Sequence, residues 1–283
     1  MKQKKITSCF IVAFITLIAL ILSGAANATP LINGLGGPAG FGEYVLPRND
    51  DGSSSEIDIS SVFPNGLNFF GTTYYSLYVN NNGNITFTDP LWVYTPEGIA
   101  GINIPIIAPF WADVDTRGGV VSPTPGGTST GSNLVYWDLD TTNHIFTVTW
   151  DDVGYFDEHT SPVNAFQLRL IEAGPSPGDF DIEFIWEDIN WTTGDASGGT
   201  GGLGGFVARA GWSAGDTVHF FEIPQSGNQD AMLNLDNNPG YMRWEVRNGI
   251  PHPAPVPEPT TMSLVGIGLL GVIFIMRKKS QKI

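Results

Sequence analysis

The chain has 283 residues, 13 lysines and arginines against 28 aspartates and glutamates, and a formal charge of −15. The imbalance is segmental: residues 29–250 hold 27 acids, six arginines and no lysine, a net −21, while the two ends are basic. So acidic a surface repels phosphate backbones and excludes nucleic acid as a partner, and 42% hydrophobic with 12% aromatic residues excludes a disordered chain.

At the N-terminus, Met1-Lys2-Gln3-Lys4-Lys5 precedes an apolar run from Cys9 to Leu22 and the small-residue stretch Ser23 to Ala28. Basic segment, apolar core and small-x-small ending predict a secretory signal peptide over 1–28. Cleavage is expected after Ala28, with Ala26 and Ala28 supplying the small side chains. A retained membrane anchor is the alternative. Cys9 lies inside the apolar core, so the mature protein is expected to have no cysteine and no disulfide.

Residues 29–250 are expected to form one large all-β domain. Ile145 to Trp150 puts Phe146, Val148 and Trp150 on one face and threonines on the other. Asn164 to Ile171 alternates Phe166, Leu168 and Leu170 with Gln167 and Arg169; Asp179 to Trp186 alternates acids with Phe180, Ile182, Phe184 and Trp186. This period of two marks half-buried strands of an antiparallel sheet. Further strands are predicted at 57–62, 67–70, 74–79, 84–88, 106–114, 134–139, 206–211, 218–222 and 242–247, with a brief helix near 228–233. The fold class is therefore all-β, an antiparallel β-sandwich or barrel-like double sheet. An N-terminal signal helix and a short C-terminal transmembrane helix are expected to flank it.

Asn82-Gly83, between two alternating runs, predicts a type I′ hairpin. Asp113, Asp115 and Arg117 fall on one face of a predicted strand. They read either as an acid–arginine network or, with Asp113 and Asp115 as ligands, as a Ca²⁺ site, because carboxylates and loop carbonyls suit a hard cation. Nothing matches the 12-residue EF-hand loop.

Several motifs invite a catalytic reading and lack its context. Gly199-Thr200-Gly201-Gly202-Leu203-Gly204 fits G-x-G-x-x-G but is not placed between a strand and a helix. Gly194 to Gly199 carries Ser197 in a glycine loop, and His144, His159 and His219 form no recognisable base motif or zinc pair. Asp179, Asp181 and Glu183 share one strand face and could supply the carboxylate pair of a glycoside hydrolase. That secreted glycan-active enzyme is the rival to a protein with no catalytic residues. A lectin-like reading rests on Trp92, Tyr94, Tyr155, Phe156 and Trp191 near predicted strand ends, where exposed rings could stack on sugars, core packing being the bland account of each.

Tyr75 to Phe87, with its Asn80-Asn81-Asn82-Gly83 core, resembles the first signature of the NIDO (nidogen-like) domain, and Ile106 to Arg117 resembles the second. Val148 to Asp151, Asn164 to Leu168, Asp181 to Trp186 and Ala208 to Trp212 continue in the family's order. The resemblance spans roughly 70–225. It implies a matrix or adhesion role without established catalytic residues. No cysteine-rich companion modules accompany it, so animal partners do not carry over.

The C-terminal segment starts with a stiff proline-rich linker over 251–261. Within it, Val256-Pro257-Glu258-Pro259 precedes an uncharged stretch of 18 residues, Pro259 to Met276, and then Arg277-Lys278-Lys279. A short transmembrane helix with a basic tail is expected over 262–283, the basic cluster staying cytoplasmic. This order resembles the PEP-CTERM sorting signal of Gram-negative bacteria; an ordinary tail anchor is the alternative. The resemblance implies an exosortase-type processing protease as partner and transient inner-membrane association. The expected protein is exported and non-enzymatic. It ends at the cell surface or in an extracellular matrix, with exopolysaccharide, biofilm polysaccharide or matrix proteins as partners.

Overall fold

The computed structural model describes residues 29–237 and 240–254. The expected signal peptide with Ala26 and Ala28, and the sorting segment with Val256 to Pro259 and Arg277 to Lys279, lie outside the described residues. Among the described residues no helix is long and apolar enough to cross a membrane.

In chain order the strands are β1 Tyr44–Leu46, β2 Ile57–Asp58, β3 Leu67–Phe69, β4 Thr72–Tyr74, β5 Ser76–Asn80, β6 Asn84–Thr86, β7 Ile106–Trp111, β8 Leu134–Asp140 and β9 Ile145–Tyr155. They continue with β10 His159–Glu172, β11 Phe180–Asp188, β12 Gly199–Thr200, β13 Leu203–Gly204, β14 Arg209–Ser213, β15 Phe220–Glu222, β16 Tyr241–Arg247 and β17 Ile250–Pro253. Among the described residues the one α-helix has four residues, α1 Gln229–Met232, and is capped by the Asn228 side chain. The expected all-β class holds.

Two antiparallel sheets carry the body: a seven-stranded one in the order β1-β8-β9-β10-β11-β16-β17, and a six-stranded one in the order β15-β14-β7-β6-β5-β2. The alternation read from sequence sets their packing. Phe166, Leu168 and Leu170 of β10 stand opposite Trp150, Val148 and Phe146 of β9, and opposite Trp186, Phe184 and Ile182 of β11. All nine are fully buried. Phe110 of β7 meets this layer from the other sheet, its ring centroid 5.3 Å from that of Phe166. The Trp186 indole also donates to the Pro109 carbonyl at 3.0 Å. Two sheets thus share one apolar core, the arrangement that lets each bury a single face.

The opposite face of the seven-stranded sheet departs from a solvated surface. The segment after Thr29 lies along it, with the Ile32 amide and carbonyl bonded to the Gln167 side chain and the Leu31 amide bonded to Glu187. Leu31 and Phe41 pack there against Tyr136, Ala165 and Ile185. Residues 251–253, whose prolines suggest a free extended linker, are extended but pair with β16 at the sheet edge, where proline's missing amide is tolerated. Residues Ala28–Ala254 form one compact unit with its own core.

Candidate functional site

The asparagine-rich hairpin and the Asp113 to Arg117 segment come together at one end of the sandwich. β5 and β6 pair through Asn80 and Asn84, so the turn between them has three residues, Asn81-Asn82-Gly83. Only Gly83 has a positive φ, +75°. A type I′ turn needs two such residues, so the hairpin stands as expected but its turn type does not. The asparagines are fully buried and serve as connectors. Asn82 Oδ1 accepts from the Val114 amide at 2.9 Å, and the Asn81 carbonyl accepts from the Trp150 indole at 2.9 Å.

Asn82 also places an acid. Its Nδ2 donates to Asp51 Oδ1 at 2.7 Å, and an isolated bridge pairs Asp50 with Asp115. Asp50, Asp51 and Asp113 each offer a carboxylate oxygen, and these atoms all lie within 4.8 Å of one another. Asp113 is 2% exposed. Its Oδ2 and Asp50 Oδ1 are buried without a hydrogen-bond partner, and Gly194 packs directly against the Asp113 carboxylate, leaving no room for a Cβ.

Burial, with the neighbouring charges of Asp51, Asp50, Asp115 and Asp195, pushes the Asp113 carboxyl up to about 7. Burial and the repulsion of Asp51 and Asp115 push Asp50 up to about 6. Asp115, expected beside Asp113 as a metal ligand, is engaged elsewhere: the Arg117 guanidinium donates to its Oδ1 at 2.9 Å and the Glu158 amide to its Oδ2 at 2.9 Å. Although buried, it is held below the usual carboxylate range by these bonds. The structure therefore divides the expected pair. Asp115 belongs to the acid–arginine network, and Asp113 sits with Asp50 and Asp51, residues that the sequence did not single out.

Asp181, Glu183 and Glu187 of β11, and Asp179 just before it, are held by partners within the fold. Asp181 is 1% exposed and ion-paired to Arg243 and Arg247. Glu183 receives Arg169 at 2.7 Å and the Tyr241 hydroxyl at 2.7 Å. Asp179 binds the amides of Ser176 and Asn248. Glu187 collects amides from Leu31, Thr128 and Ser129, which outweigh its burial and lower its pKa. These contacts give Asp179, Asp181 and Glu183 structural partners within the fold.

The remaining motifs resolve as structure. β12 and β13 make a glycine hairpin of the G-x-G-x-x-G stretch, with no helix following it. Ser197 is buried and bonded to the Thr95 hydroxyl at 2.9 Å, whereas His159 faces Asp195, so nucleophile and base are not joined.

Of the five aromatic residues read as stacking candidates, Tyr155 and Trp191 are core residues and Phe156 is half-buried. Trp92 is 68% exposed and Tyr94 39%. They border a groove of about 500 Å³ that also takes in Val93, Glu97, Ile102 and the edge of Trp111. The Trp111 indole donates to the Val93 carbonyl at 2.8 Å and fixes the ledge from below.

Residues 75–242 match the family model described as the nidogen-like domain, and residues 255–279 match the PEP-CTERM protein-sorting motif. Among curated proteins, alpha-tectorin of Mus musculus is 39% identical over 222 residues, covering 71% of this chain and 10% of that protein. Nidogen of Drosophila melanogaster is 30% identical over 227 residues, covering 72% of this chain and 16% of its own. The chain thus spans only a small part of the length of these relatives. No solved structure matches.

Proposed function

From the premise that this chain belongs to the nidogen-like domain family, we propose that it is an exported, non-enzymatic matrix or surface adhesion protein of a Gram-negative bacterium. The observation that carries the reading is the succession, in one chain, of a nidogen-like domain over 75–242 and a sorting motif over 255–279. The sorting motif calls for an exosortase-type membrane protease. The chain would be held briefly at the inner membrane and then pass outward, where its acidic body stays soluble.

The partner we infer is an anionic or neutral exopolysaccharide of a biofilm matrix. Support comes from the Trp92–Tyr94 ledge, because exposed rings over a groove offer apolar faces for sugar C–H surfaces. Ion pairing of Asp181 and Glu183, two of the acids of the glycoside-hydrolase alternative, supports binding without turnover.

Two measurements test this. In cells, deletion of the exosortase-type protease is expected to leave the chain uncleaved and membrane-associated; an unchanged mature form would sink the sorting reading. In vitro, the 28–254 body is expected to be retained on extracellular polysaccharide, and Trp92→Ala to weaken retention by roughly tenfold, the worth of one stacked ring. No retention, or equal retention of the variant, removes the ledge as a glycan site.

A further inference from the structure

We propose that Asp50, Asp51 and Asp113 form a binding site for Ca²⁺ at the tip of the asparagine hairpin. Three carboxylates converge within 4.8 Å of one another, a spread that fits ligands on a common ion at about 2.3–2.6 Å. A cluster of acids alone would not identify a site. Here, however, the Asp113 side chain is 98% buried, from its 2% exposure, and its Oδ2 has no donor.

Leaving a buried carboxylate oxygen without a partner is costly, and the fold supplies donors lavishly to the acids around it. Asp115 receives Arg117 and Glu158, and Asp51 receives Asn82. Asp50 Oδ2 lies 3.2 Å from the Arg117 guanidinium, while its Oδ1 is buried and unpartnered like Asp113 Oδ2. The two orphaned oxygens thus belong to two members of the same group of three. A cation among the three carboxylates relieves the repulsion of their charges and supplies the partner that this buried group lacks.

Donor chemistry selects the ion. The group is all oxygen, with no histidine or cysteine, which disfavours zinc. Mg²⁺ demands a near-ideal octahedron and gives up its waters reluctantly, so three carboxylates of the chain on one ion suit the more tolerant Ca²⁺. Asp50 and Asp51 lie outside the nidogen-like match that begins at residue 75. The site draws Asp50 and Asp51 from the segment ahead of β2 and stands independently of the export and matrix reading.

Calcium chloride is titrated into the full chain and into the 28–254 body, by calorimetry and by thermal melting, with MgCl₂ and NaCl at matched ionic strength. The expected result is one site with a Kd of roughly 0.1–1 mM, in the range of extracellular modules, and a melting temperature raised by about 3–5 °C at 10 mM Ca²⁺. Asp113→Asn and Asp51→Asn are each expected to fold and to lose the increment, while Asp188→Asn, remote from the group, keeps it. Should Asp113→Asn fail to fold, Asp51→Asn decides. Absence of heat and of any shift overturns the proposal. So does a shift that survives in Asp51→Asn, or one that NaCl reproduces by screening alone.

Discussion

Gly83→Ala is expected to destabilise the body by roughly 3 kcal/mol or more, among the largest effects of any single methyl group in this fold. Two independent terms add. The residue sits at φ +75°, where an L side chain costs about 1 kcal/mol. The new Cβ would also fall 1.7 Å from the Phe110 carbonyl oxygen, a main-chain atom of β7 that cannot rotate away. Relief requires the hairpin tip to lift, and that breaks the bond from the Phe110 amide to the Gly83 carbonyl. It also disturbs the bond from the Trp150 indole to the Asn81 carbonyl, which ties the seven-stranded sheet to this turn. Gly71→Ala isolates the first term, because its φ is +83° but nothing lies within 4 Å of the added atom. That variant should lose only about 1 kcal/mol. Urea denaturation of both, followed by tryptophan fluorescence, measures the difference; equal losses would show that the approach to Phe110 is not what fixes the glycine.

The same hairpin shows what a sequence exposes and what it withholds. Period-two alternation located β9, β10 and β11 and their inward faces, because strand geometry forces every second side chain to one side. It could not tell how the outward face ends. Asp181 and Glu183 share one strand face in the sequence, but the segment Leu31 to Phe41 packs on that side of the sheet. The partners of the acids are arginines on β10 and β16, supplied by long-range pairing. One compositional signal did point there. With six arginines among 27 acids and no lysine in 29–250, every cation is in demand. Arg117, Arg169, Arg209, Arg243 and Arg247 all sit in ion pairs, and Arg48 bonds the carbonyls of Thr116, Ser132 and Asn133. Asp50 and Asp51 were invisible for a different reason. They lie some sixty residues from Asp113 in a stretch without periodicity, and long-range contacts bring the two segments together: the Asp50–Asp115 bridge, the Asn49–Thr116 bonds and the asparagine turn. Likewise, nothing local distinguishes Trp92 from Trp191; the layer each meets decides which is a ledge and which is core.

The acidic group makes a second large expectation, that the metal-free body is more stable at mildly acidic pH than at pH 8. Asp113 and Asp188 are each raised to about 7 and Asp50, Asp138 and Asp152 to about 6, burial being the first cause in each case. A carboxyl whose folded pKa lies above its unfolded value near 3.8 holds a proton in the folded state that the unfolded chain has released. Between those values the folded state binds more protons, so stability falls as pH rises, and the loss is complete above the folded pKa. The window therefore runs from about pH 4 to about pH 7. Asp115 and Glu187 act in the opposite sense, being held low; what they contribute is lost only as pH falls below about 4. The maximum should lie near about pH 4, where the two sets of groups cross over, with a decline of at least about 2 kcal/mol by pH 8, allowing for coupling among the acids. General repulsion within a body of net −21 has the same sign, but it is screened beyond about 8 Å at physiological salt. Urea midpoints in EDTA at 0.15 M salt separate the two contributions. Asp113→Asn should flatten the profile between pH 6 and 8 and leave the variant at least as stable as the parent at pH 8, since an amide removes one charge from a crowded site. A wild-type profile that rises from pH 5 to 8 would mean that the group is neutralised by contacts within the chain, and Asp113 would then be an ordinary buried anion.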